Sequence, residues 1–279
     1  MEEIKHIDIK KSIRESNSKL LKKLPDPIIW AITKIVKQDE LNSIITKYKD
    51  YIGREFLQKM IEELNLNVEV TGIENLPENG RCFFVSNHPF GIIDGLVLTY
   101  IITKKYGTVK SIANESFMLI PQLHPFIVAV NVFDGSSKDY IMALEDLYNQ
   151  DVPISHFPAG EVSRRYNGKV QDCNWQKSFI TKAVSSKRDV VPICFKGRNS
   201  NLFFLIFITR NLLGIKTNIE LMLLPAEMFK KRGQTINVKI GKPIPWQTFD
   251  KSFSPFAWAQ KVKTIAYSLW DNSQKNKVA

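Results

Sequence analysis

The stretch from Phe83 to Gly95 constrains the fold of this chain more than any other. An apolar run typical of a buried strand ends there, and Pro89 and Gly91 force an irregular turn, since proline lacks an N–H and glycine tolerates positive φ. A second apolar run, long enough to be a helix, follows Asp94, which therefore lies where an N-cap is expected. A strand end joined by a turn to a helix start is where α/β folds place their chemistry.

Two polar side chains at this junction, His88 and Asp94, have complementary chemistry. If the turn brings them together, the carboxylate accepts the ring N–H, fixes the imidazole tautomer and makes the other nitrogen a better base. The alternative is structural: Asp94 only caps the helix, and His88 bonds to backbone at the end of the strand. A general base held by a carboxylate is therefore one of two hypotheses for this junction.

A second stretch, from His156 to Arg165, follows the same plan. An apolar strand ends in a turn that contains Pro158 and Gly160, and backbone N–H groups near Gly160 would be free to point at an oxygen ligand. Arg164 and Arg165 add a cationic pair that suits phosphate or carboxylate, although a solvated charged loop is the alternative. His156 lies beside the turn and could either contact a ligand or be structural.

The pattern along the rest of the chain indicates the fold class. From residue 67 onward, short apolar strands alternate with helical segments, which predicts an α/β fold with a layered mixed sheet flanked by helices. We divide the chain into an N-terminal helical region, 1–66, and a main domain, 67–279. The segment 27–37 has an apolar face with Trp30 and lysines, so it either lies in a membrane interface or packs on the main domain.

Composition limits the classes of partner. Lys and Arg number 39 against 28 Asp and Glu, and the resulting charge of +11 attracts the phosphates of nucleic acid or of an anionic membrane. No aromatic and basic motif of a known nucleic-acid reader is present, so we expect no nucleic-acid partner. No apolar run reaches the ~18 residues of a spanning helix. The three cysteines lack metal-ligand spacing, so we expect reduced thiols in the cytosol and no metal.

Together, the two stretches resemble the lysophosphatidic acid and glycerophosphate acyltransferase family. Motifs similar to Asn-His-x-x-x-x-Asp and Phe-Pro-x-Gly follow each other in the family's order. Asn131–Asp134 falls where the family has an apolar strand leading to its acceptor-binding segment, and Val190–Ile193 matches its last, proline-containing motif. The resemblance covers residues 67–245, give or take a few at each end.

This resemblance implies transfer of a fatty acyl group from a thioester, on coenzyme A or acyl carrier protein, to a lipid hydroxyl, with no cofactor beyond that co-substrate. It makes His88 the general base and Asp94 the residue that orients it. The residues expected to bind substrate are Asn87, Phe157, Pro158, Gly160, Glu161, Arg164 and Arg165, of which the two arginines would hold the anionic group of the acceptor. In an apolar helix at 201–213, we expect acyl-chain contacts from Phe203, Phe204 and Phe207.

The chain departs from the family pattern in three places. Five residues instead of four separate His88 from Asp94, Ala159 replaces a glutamate, and Gly135 stands where an arginine usually closes the second motif. The last two changes concern acceptor recognition and weigh against simple glycerol phosphate. Together with Gly197–Ser200, the motifs resemble a bacterial branch associated with O-acylation of lyso-aminolipids, such as lyso-ornithine or lyso-glycine lipids.

We therefore expect a bacterial O-acyltransferase of membrane lipid synthesis that acts on a lyso-aminolipid and is peripheral on the cytoplasmic face of the inner membrane. One alternative is a 1-acylglycerol-3-phosphate acyltransferase, which would make phosphatidic acid. An alternative of another class is a non-catalytic basic protein that binds anionic membrane or nucleic acid.

Overall fold

The computed structural model describes residues 6–16, 22–130, 138–166 and 168–271. The helices in these ranges are α1 (Ile9–Glu15), α2 (Asp26–Ile35), α3 (Gln38–Lys47), α4 (Arg54–Glu63), α5 (Ile92–Tyr106), α6 (Lys138–Asn149), α7 (Ser178–Ser186), α8 (Asn201–Leu212), α9 (Leu224–Phe229) and α10 (Pro255–Asp271). The strands are β1 (Asn67–Thr71), β2 (Cys82–Ser86), β3 (Lys110–Asn114), β4 (Ile127–Val130), β5 (Ile154–His156), β6 (Arg164–Tyr166), β7 (Lys169–Gln171), β8 (Asp189–Lys196) and β9 (Thr235–Ile240).

One large sheet organises the molecule. It has seven strands in the order β1-β9-β8-β2-β5-β3-β4, and β6 and β7 form a separate antiparallel pair. The run from β8 through β2, β5 and β3 to β4 is parallel, whereas β9 is antiparallel to β8 and β1 is parallel to β9. The sheet is therefore mixed, and the predicted α/β class with a layered, helix-flanked sheet is confirmed.

The position of β2 in this sheet determines where the two singled-out stretches meet. Val85 of β2 is in register with His156 of β5 on one side and with Pro192 of β8 on the other. All three strands are parallel, so the residues that follow them lie along the same edge of the sheet. The segments after β2 and after β5 are consequently neighbours in space.

Side chains of β2 alternate between two packed layers. Every residue of β2 is buried, as expected for a parallel strand with helices on both faces. Phe84 packs in a core that includes α4 and α5, whereas Phe83 and Val85 pack in a second core that includes α7 and α10. These two cores fix the end of β2 from both faces.

The N-terminal helices share the first of these cores. Ile44 of α3 and Phe56 of α4 are buried in the same cluster as Phe84. Helix α2 buries Ile29 and exposes Trp30. Across the described ranges, no helix combines the length and the apolar character needed to span a bilayer. The domain boundary at residue 66 and the docking of α2 on a membrane stay predictions.

Candidate active site

His88 lies two residues beyond the end of β2, and its ring is held by Asp94 of α5. His88 Nδ1 is 3.0 Å from Asp94 Oδ2, which also accepts hydrogen bonds from the backbone N–H groups of Phe90 (2.7 Å) and Gly91 (2.9 Å). This carboxylate oxygen acts as an acceptor, so Nδ1 carries the ring proton and Nε2 carries the lone pair. The His88 side chain is 18% exposed. Among the described residues, none hydrogen-bonds Nε2, which leaves that nitrogen able to take a proton.

Asp94 is the third residue of α5 rather than its N-cap, so the predicted capping position is wrong. The helix begins at Ile92 with Gly91 in the N-cap position, and the Asp94 carboxylate reaches back to the Gly91 N–H. Gly91 has φ 83°, and a Cβ there would lie 2.9 Å from Leu224 and 3.2 Å from Val162. One carboxylate thus stabilises the helix start and also holds the imidazole, the two roles that the sequence left as alternatives.

Burial dominates the electrostatics of Asp94. Its side chain has no solvent exposure, and the loss of hydration raises the pKa of this carboxyl above its ordinary value. The hydrogen bonds from His88, Phe90 and Gly91 lower that pKa, because they favour the anion. A carboxylate in this position can stabilise the imidazolium that forms when Nε2 takes a proton.

The segment after β5 meets the segment after β2 through a ring contact. Phe157 stacks on the His88 imidazole, with ring centroids 4.0 Å apart and an interplanar angle of 24°. The stacked phenyl ring restricts rotation of the imidazole and covers one of its faces. The Gly160 N–H donates to Phe157 O at 3.0 Å, so the prediction that this N–H is free for an oxygen ligand is wrong. The turn is also tied down by Gln176, whose N–H donates to Pro158 O at 2.8 Å.

Two other residues predicted to bind substrate have partners within the protein. Asn87 Oδ1 accepts from the Phe195 N–H (2.7 Å) and Asn87 Nδ2 donates to Phe195 O (3.0 Å), which extends the pairing of β2 with β8. Asn87 is buried and both ends of its amide are bonded to Phe195, so the structure places it as a residue that positions the loop, and its contact with substrate stays a prediction. The Glu161 carboxylate accepts a hydrogen bond from the Tyr166 hydroxyl at 2.6 Å.

Arg164 and Arg165 do not form the predicted substrate-binding pair. Arg164 and Arg165 are adjacent in β6, so their side chains point to opposite faces of the strand. Arg164 is fully buried, forms an ion pair with Glu220 at 3.0 Å and lies over the Phe203 ring at 5.1 Å. Arg165 is exposed. Arg164 therefore belongs to the interior, and Arg165 alone stays a candidate for an anionic ligand.

A residue that the sequence did not single out, Asp172, fixes the main chain of His88. Its Oδ1 accepts from the His88 backbone N–H (3.2 Å) and from the Ser163 hydroxyl, and its Oδ2 accepts from Trp175 Nε1 (2.8 Å). The Ser163 N–H donates in turn to His88 O at 2.8 Å. Asp172 follows a short strand in an aperiodic stretch, so its spacing gave no signal of this role.

Burial raises the pKa of the Asp172 carboxyl, while its bonds to Ser163, Trp175 and His88 lower that pKa. Three donors from three segments of the chain thus converge on one buried group. A change in that group would shift the backbone from which His88 projects.

His156 does not join the site. Its ring lies beside Phe179 of α7, with centroids 6.4 Å apart, and its Nδ1 is buried with no hydrogen-bond partner in the described part of the chain. Burial lowers the pKa of His156 to about 4. The ring is therefore neutral at physiological pH, and the structural alternative for His156 fits the observed packing.

A cavity of about 240 Å³ borders residues 87–91, which we call the His88 loop. Its walls include Asn87, Pro89, Lys196 and Trp270. In the ranges that the structure covers, no group of three or more His, Cys, Asp or Glu side chains could hold a metal ion. The predicted acceptor segment Asn131–Asp134, with Gly135, lies outside the described residues.

The aromatic residues of α8 are not exposed to an open acyl-chain site. Phe203, Phe204 and Phe207 are buried, and the first two pack with Val162 and Leu223 in a separate small core. Contact between an acyl chain and Phe203 or Phe204 would require this core to open, and the acyl-chain role of the three residues stays a prediction.

Comparison with known proteins assigns this arrangement to a family. A family model described as acyltransferase matches residues 11–272. The chain belongs to this acyltransferase family. A curated lyso-glycine lipid O-acyltransferase from Phocaeicola vulgatus is 43% identical over 264 residues, covering 94% of this chain and 95% of the relative. A second, from Bacteroides thetaiotaomicron, is 44% identical over 264 residues, covering 94% and 97%.

Among solved structures, the chain is similar to the 1-acyl-sn-glycerophosphate (LPA) acyltransferase PlsC from Thermotoga maritima. The TM-score is 0.48 at 16% identity, and the match covers 88% of this chain and 95% of that one. The curated relatives and the family model confirm the resemblance seen in the motifs, and with it the prediction that this member of the acyltransferase family is an enzyme.

Proposed function

We propose that this acyltransferase moves a fatty acyl group from an acyl thioester to the hydroxyl of a lyso-glycine lipid. The observation that carries the proposal is the His88 ring, whose Nδ1 is held by a buried carboxylate while Nε2 has no partner among the described residues. The two curated relatives, both lyso-glycine lipid O-acyltransferases, support this acceptor.

His88 acts as a general base in the proposed reaction. Nε2 takes the proton of the acceptor hydroxyl as its oxygen attacks the thioester carbonyl carbon, and Asp94 stabilises the imidazolium. The tetrahedral intermediate collapses, the C–S bond breaks, and the proton on Nε2 passes to the departing thiolate. The ester product and a free thiol leave, and the imidazole is neutral again.

A direct transfer is favoured over one through an acylated cysteine. Burial raises the pKa of Cys82 and of Cys173 to about 12 and raises the pKa of Cys194 as well. These thiols are therefore protonated at physiological pH and poor nucleophiles. A thioester is already activated, so a base that deprotonates the attacking alcohol is sufficient.

Two basic regions near the His88 loop fit the anionic parts of the substrates. Arg165, exposed on β6, is the candidate for the carboxylate of the acceptor head group. The second region is next to Phe90, where Lys231 Nζ lies 4.9 Å from the centroid of the Phe90 ring and donates to Arg198 O at 3.1 Å. We assign the cluster of Arg198 and Lys231 to the anionic carrier of the donor, acyl carrier protein or coenzyme A. The protein would act as a peripheral enzyme on the cytoplasmic face of the membrane.

The test is a direct assay with purified protein. Lyso-glycine lipid and lysophosphatidic acid are offered in parallel, each with acyl carrier protein thioester and with coenzyme A thioester. A higher kcat/KM for lyso-glycine lipid than for lysophosphatidic acid supports the proposal. A higher kcat/KM for lysophosphatidic acid would instead support the alternative function, synthesis of phosphatidic acid. No ester from any combination would contradict the reaction itself.

Arg165→Gln sharpens the head-group assignment. The variant should raise KM for the lyso-glycine lipid by about tenfold with little change in kcat, since a rim ion pair contributes to ground-state and transition-state binding alike. Lys169→Gln, which removes an exposed cation of the paired strand β7, is the matched control. An unchanged KM in the Arg165 variant removes this residue from the acceptor site.

A further inference from the structure

Helix α8 presents an unusual surface. Its residues 201–209 include no charged side chain. The helix starts from a fixed point, because the Ser200 backbone N–H and hydroxyl both donate to the Glu227 carboxylate at 2.7 Å. Phe203 and Phe207 occupy the face that packs inward. The opposite face therefore carries no charged side chain over residues 201–209.

That opposite face is apolar and exposed. Leu202, Leu205, Ile208 and Leu212 recur at helical spacing, so they form one stripe along the helix, which Leu213 continues. Leu205 is 59% exposed, Leu212 82% and Leu213 68%. The exposed Thr209 also lies on this face, between Leu205 and Leu212, but no charged side chain interrupts the row. A row of exposed leucines and isoleucine without a charge is typical of a surface that contacts another apolar phase.

The charges around the stripe favour an anionic lipid surface as that phase. Residues 201–219 contain no Asp or Glu, and Glu220, which follows, is fully buried against Arg164 and Arg210. Lys216, just beyond the helix, is exposed. The surroundings of the stripe thus carry neutral polar side chains and an exposed cation but no acidic side chain over 201–219, which suits contact with an anionic membrane interface.

A second exposed apolar set lies on α2, a helix that contacts the turn after α8. Helix α2 contacts the 3-10 turn Ile219–Leu223, which follows α8, and α2 exposes Ile28, Trp30 and Ile35. Tryptophan prefers the boundary between headgroups and acyl chains. If α2 also docks on a membrane, one of the two alternatives that the sequence leaves open, its exposed residues would add to the contact made by α8.

The start of the stripe also lies close to the proposed active site. Four residues connect the end of β8, the strand beside β2, to the start of α8, and Gly197 among them lies against the ring of Phe90 in the His88 loop. A bilayer in contact with α8 would therefore meet the protein near the loop that carries the base. A lyso-lipid could reach that edge by lateral movement, without leaving the membrane.

From these observations we infer that the Leu202–Leu213 stripe of α8 inserts into the interface of an anionic bilayer and brings the His88 loop to the lipid acceptor. This role deepens the proposed function and rests on its lipid acceptor. It is separate from the predicted docking of α2, which concerns another helix. The apolar side chains supply the binding, and Lys216, together with the lack of acidic residues over 201–219, favours an anionic membrane.

The test uses the full-length protein and vesicles of phosphatidylcholine with phosphatidylglycerol. Leu205→Asp/Leu212→Asp changes only exposed positions, so the thermal unfolding midpoint should stay close to that of the wild type. Its partition coefficient in a flotation assay should fall at least about a hundredfold, since each buried leucine contributes about tenfold or more. The matched control Val184→Asp/Ile265→Asp introduces the same two charges at exposed apolar positions on α7 and α10 and should float like the wild type.

A second measurement reports insertion directly. Leu205→Cys and Val184→Cys are each made in a Cys173→Ser background and labelled with a polarity-sensitive fluorophore, because Cys173 is only partly buried whereas Cys82 and Cys194 are buried. Vesicles should shift the emission to the blue at position 205 and leave it unchanged at 184. Equal behaviour at both positions, or wild-type flotation of the Leu205→Asp/Leu212→Asp variant, overturns the inference.

The outcomes for docking and for catalysis can be told apart. Flotation needs no turnover, so a protein that binds vesicles through α8 but acylates no lyso-lipid keeps the docking surface and loses the proposed function. If the wild type is active but the Leu205→Asp/Leu212→Asp variant floats normally, the inference about α8 is wrong and the proposed function stands. If the wild type dimerises without lipid and the Leu205→Asp/Leu212→Asp variant is monomeric, the stripe binds a second copy of the chain and the inference is wrong.

Discussion

Two histidines lie at the carboxyl ends of adjacent parallel strands, and their surroundings differ in every respect that matters for proton transfer. His88 follows β2, has a carboxylate 3.0 Å from Nδ1 and keeps partial exposure. His156 ends β5, its Nδ1 has no partner within the described ranges, and burial lowers its pKa to about 4. A base needs an orienting acceptor on one nitrogen and access to substrate on the other, and only His88 has both.

The difference follows from local backbone rather than from the strands. After β2 the chain turns at Gly91 and returns a helix start to the strand end, which brings Asp94 to the ring. After β5 the chain turns at Gly160 and continues into strand β6 rather than a helix, and His156 packs beside Phe179. Equivalent positions in a sheet thus acquire chemistry only when the following turn delivers a partner.

Removing the His88 imidazole should have the largest effect. His88→Ala should lower kcat by at least about a thousandfold, because the step that deprotonates the acceptor loses its base. The measurement is steady-state ester formation, with circular dichroism to verify the fold. His156→Gln is the matched control at the neighbouring strand end and should retain activity within about tenfold. Near-normal turnover of His88→Ala would falsify the base assignment.

His156 should instead govern stability at acidic pH. Its pKa falls from 6.5 to about 4 on folding, so the unfolded chain binds the proton more tightly than the native protein does. The native state must therefore lose stability as the pH falls from about 6.5 to about 4, by up to roughly 3 kcal/mol. Denaturant unfolding of the wild type and of His156→Gln across this range should show the loss in the wild type and a smaller one in the variant. Parallel curves would mean that His156 is protonated, or solvated, in the folded protein.

Some features of the fold and of the site could be predicted from the sequence, and others could not. The alternation of apolar strands and helices was enough to predict the α/β class, and the His88 and Asp94 motif was enough to bring that pair together, because both depend on local pattern. Arg164 and Arg165 show the limit. Their identity predicted anion binding, but β6 is a three-residue strand that the sequence did not reveal, and alternation along it sends Arg164 to Glu220, a partner 56 positions away.

The roles of residues that act through long-range contacts could not be predicted from the sequence either. Asp172 contacts His88 across 84 positions, and Asn87 contacts Phe195 across 108. Nothing in the residues around Asp172 marks it, since its role comes from the backbone groups that the fold brings to it. Sequence pattern therefore locates the group that performs the chemistry and misses the groups that hold it in place.

Asp94→Asn tests the partner that distinguishes the two histidines. The amide keeps an oxygen acceptor but loses the charge that stabilises the imidazolium, and its own N–H group can face Nδ1 and favour the wrong tautomer. The value of kcat should fall about a hundredfold, less than for His88→Ala, with KM for the donor nearly unchanged. The double variant should be no slower than His88→Ala alone, since Asp94 affects proton transfer only through the ring, whatever it adds to the stability of the helix start. An Asp94→Asn enzyme with normal kcat but lowered stability would leave Asp94 as a helix-stabilising residue only.

Asp172→Asn should have the smallest effect of these, because Asp172 acts on the His88 main chain and not on its ring. The amide can satisfy only part of the three donors from His88, Ser163 and Trp175, so the backbone before the turn should relax. We expect kcat to fall about tenfold with KM little changed, and the loss should vanish in a His88→Ala background, where no base remains to be positioned. A merely structural role would lower the unfolding temperature and leave the kcat of the folded fraction intact. An equal loss of kcat in both backgrounds would show that Asp172 acts on catalysis by a route other than His88.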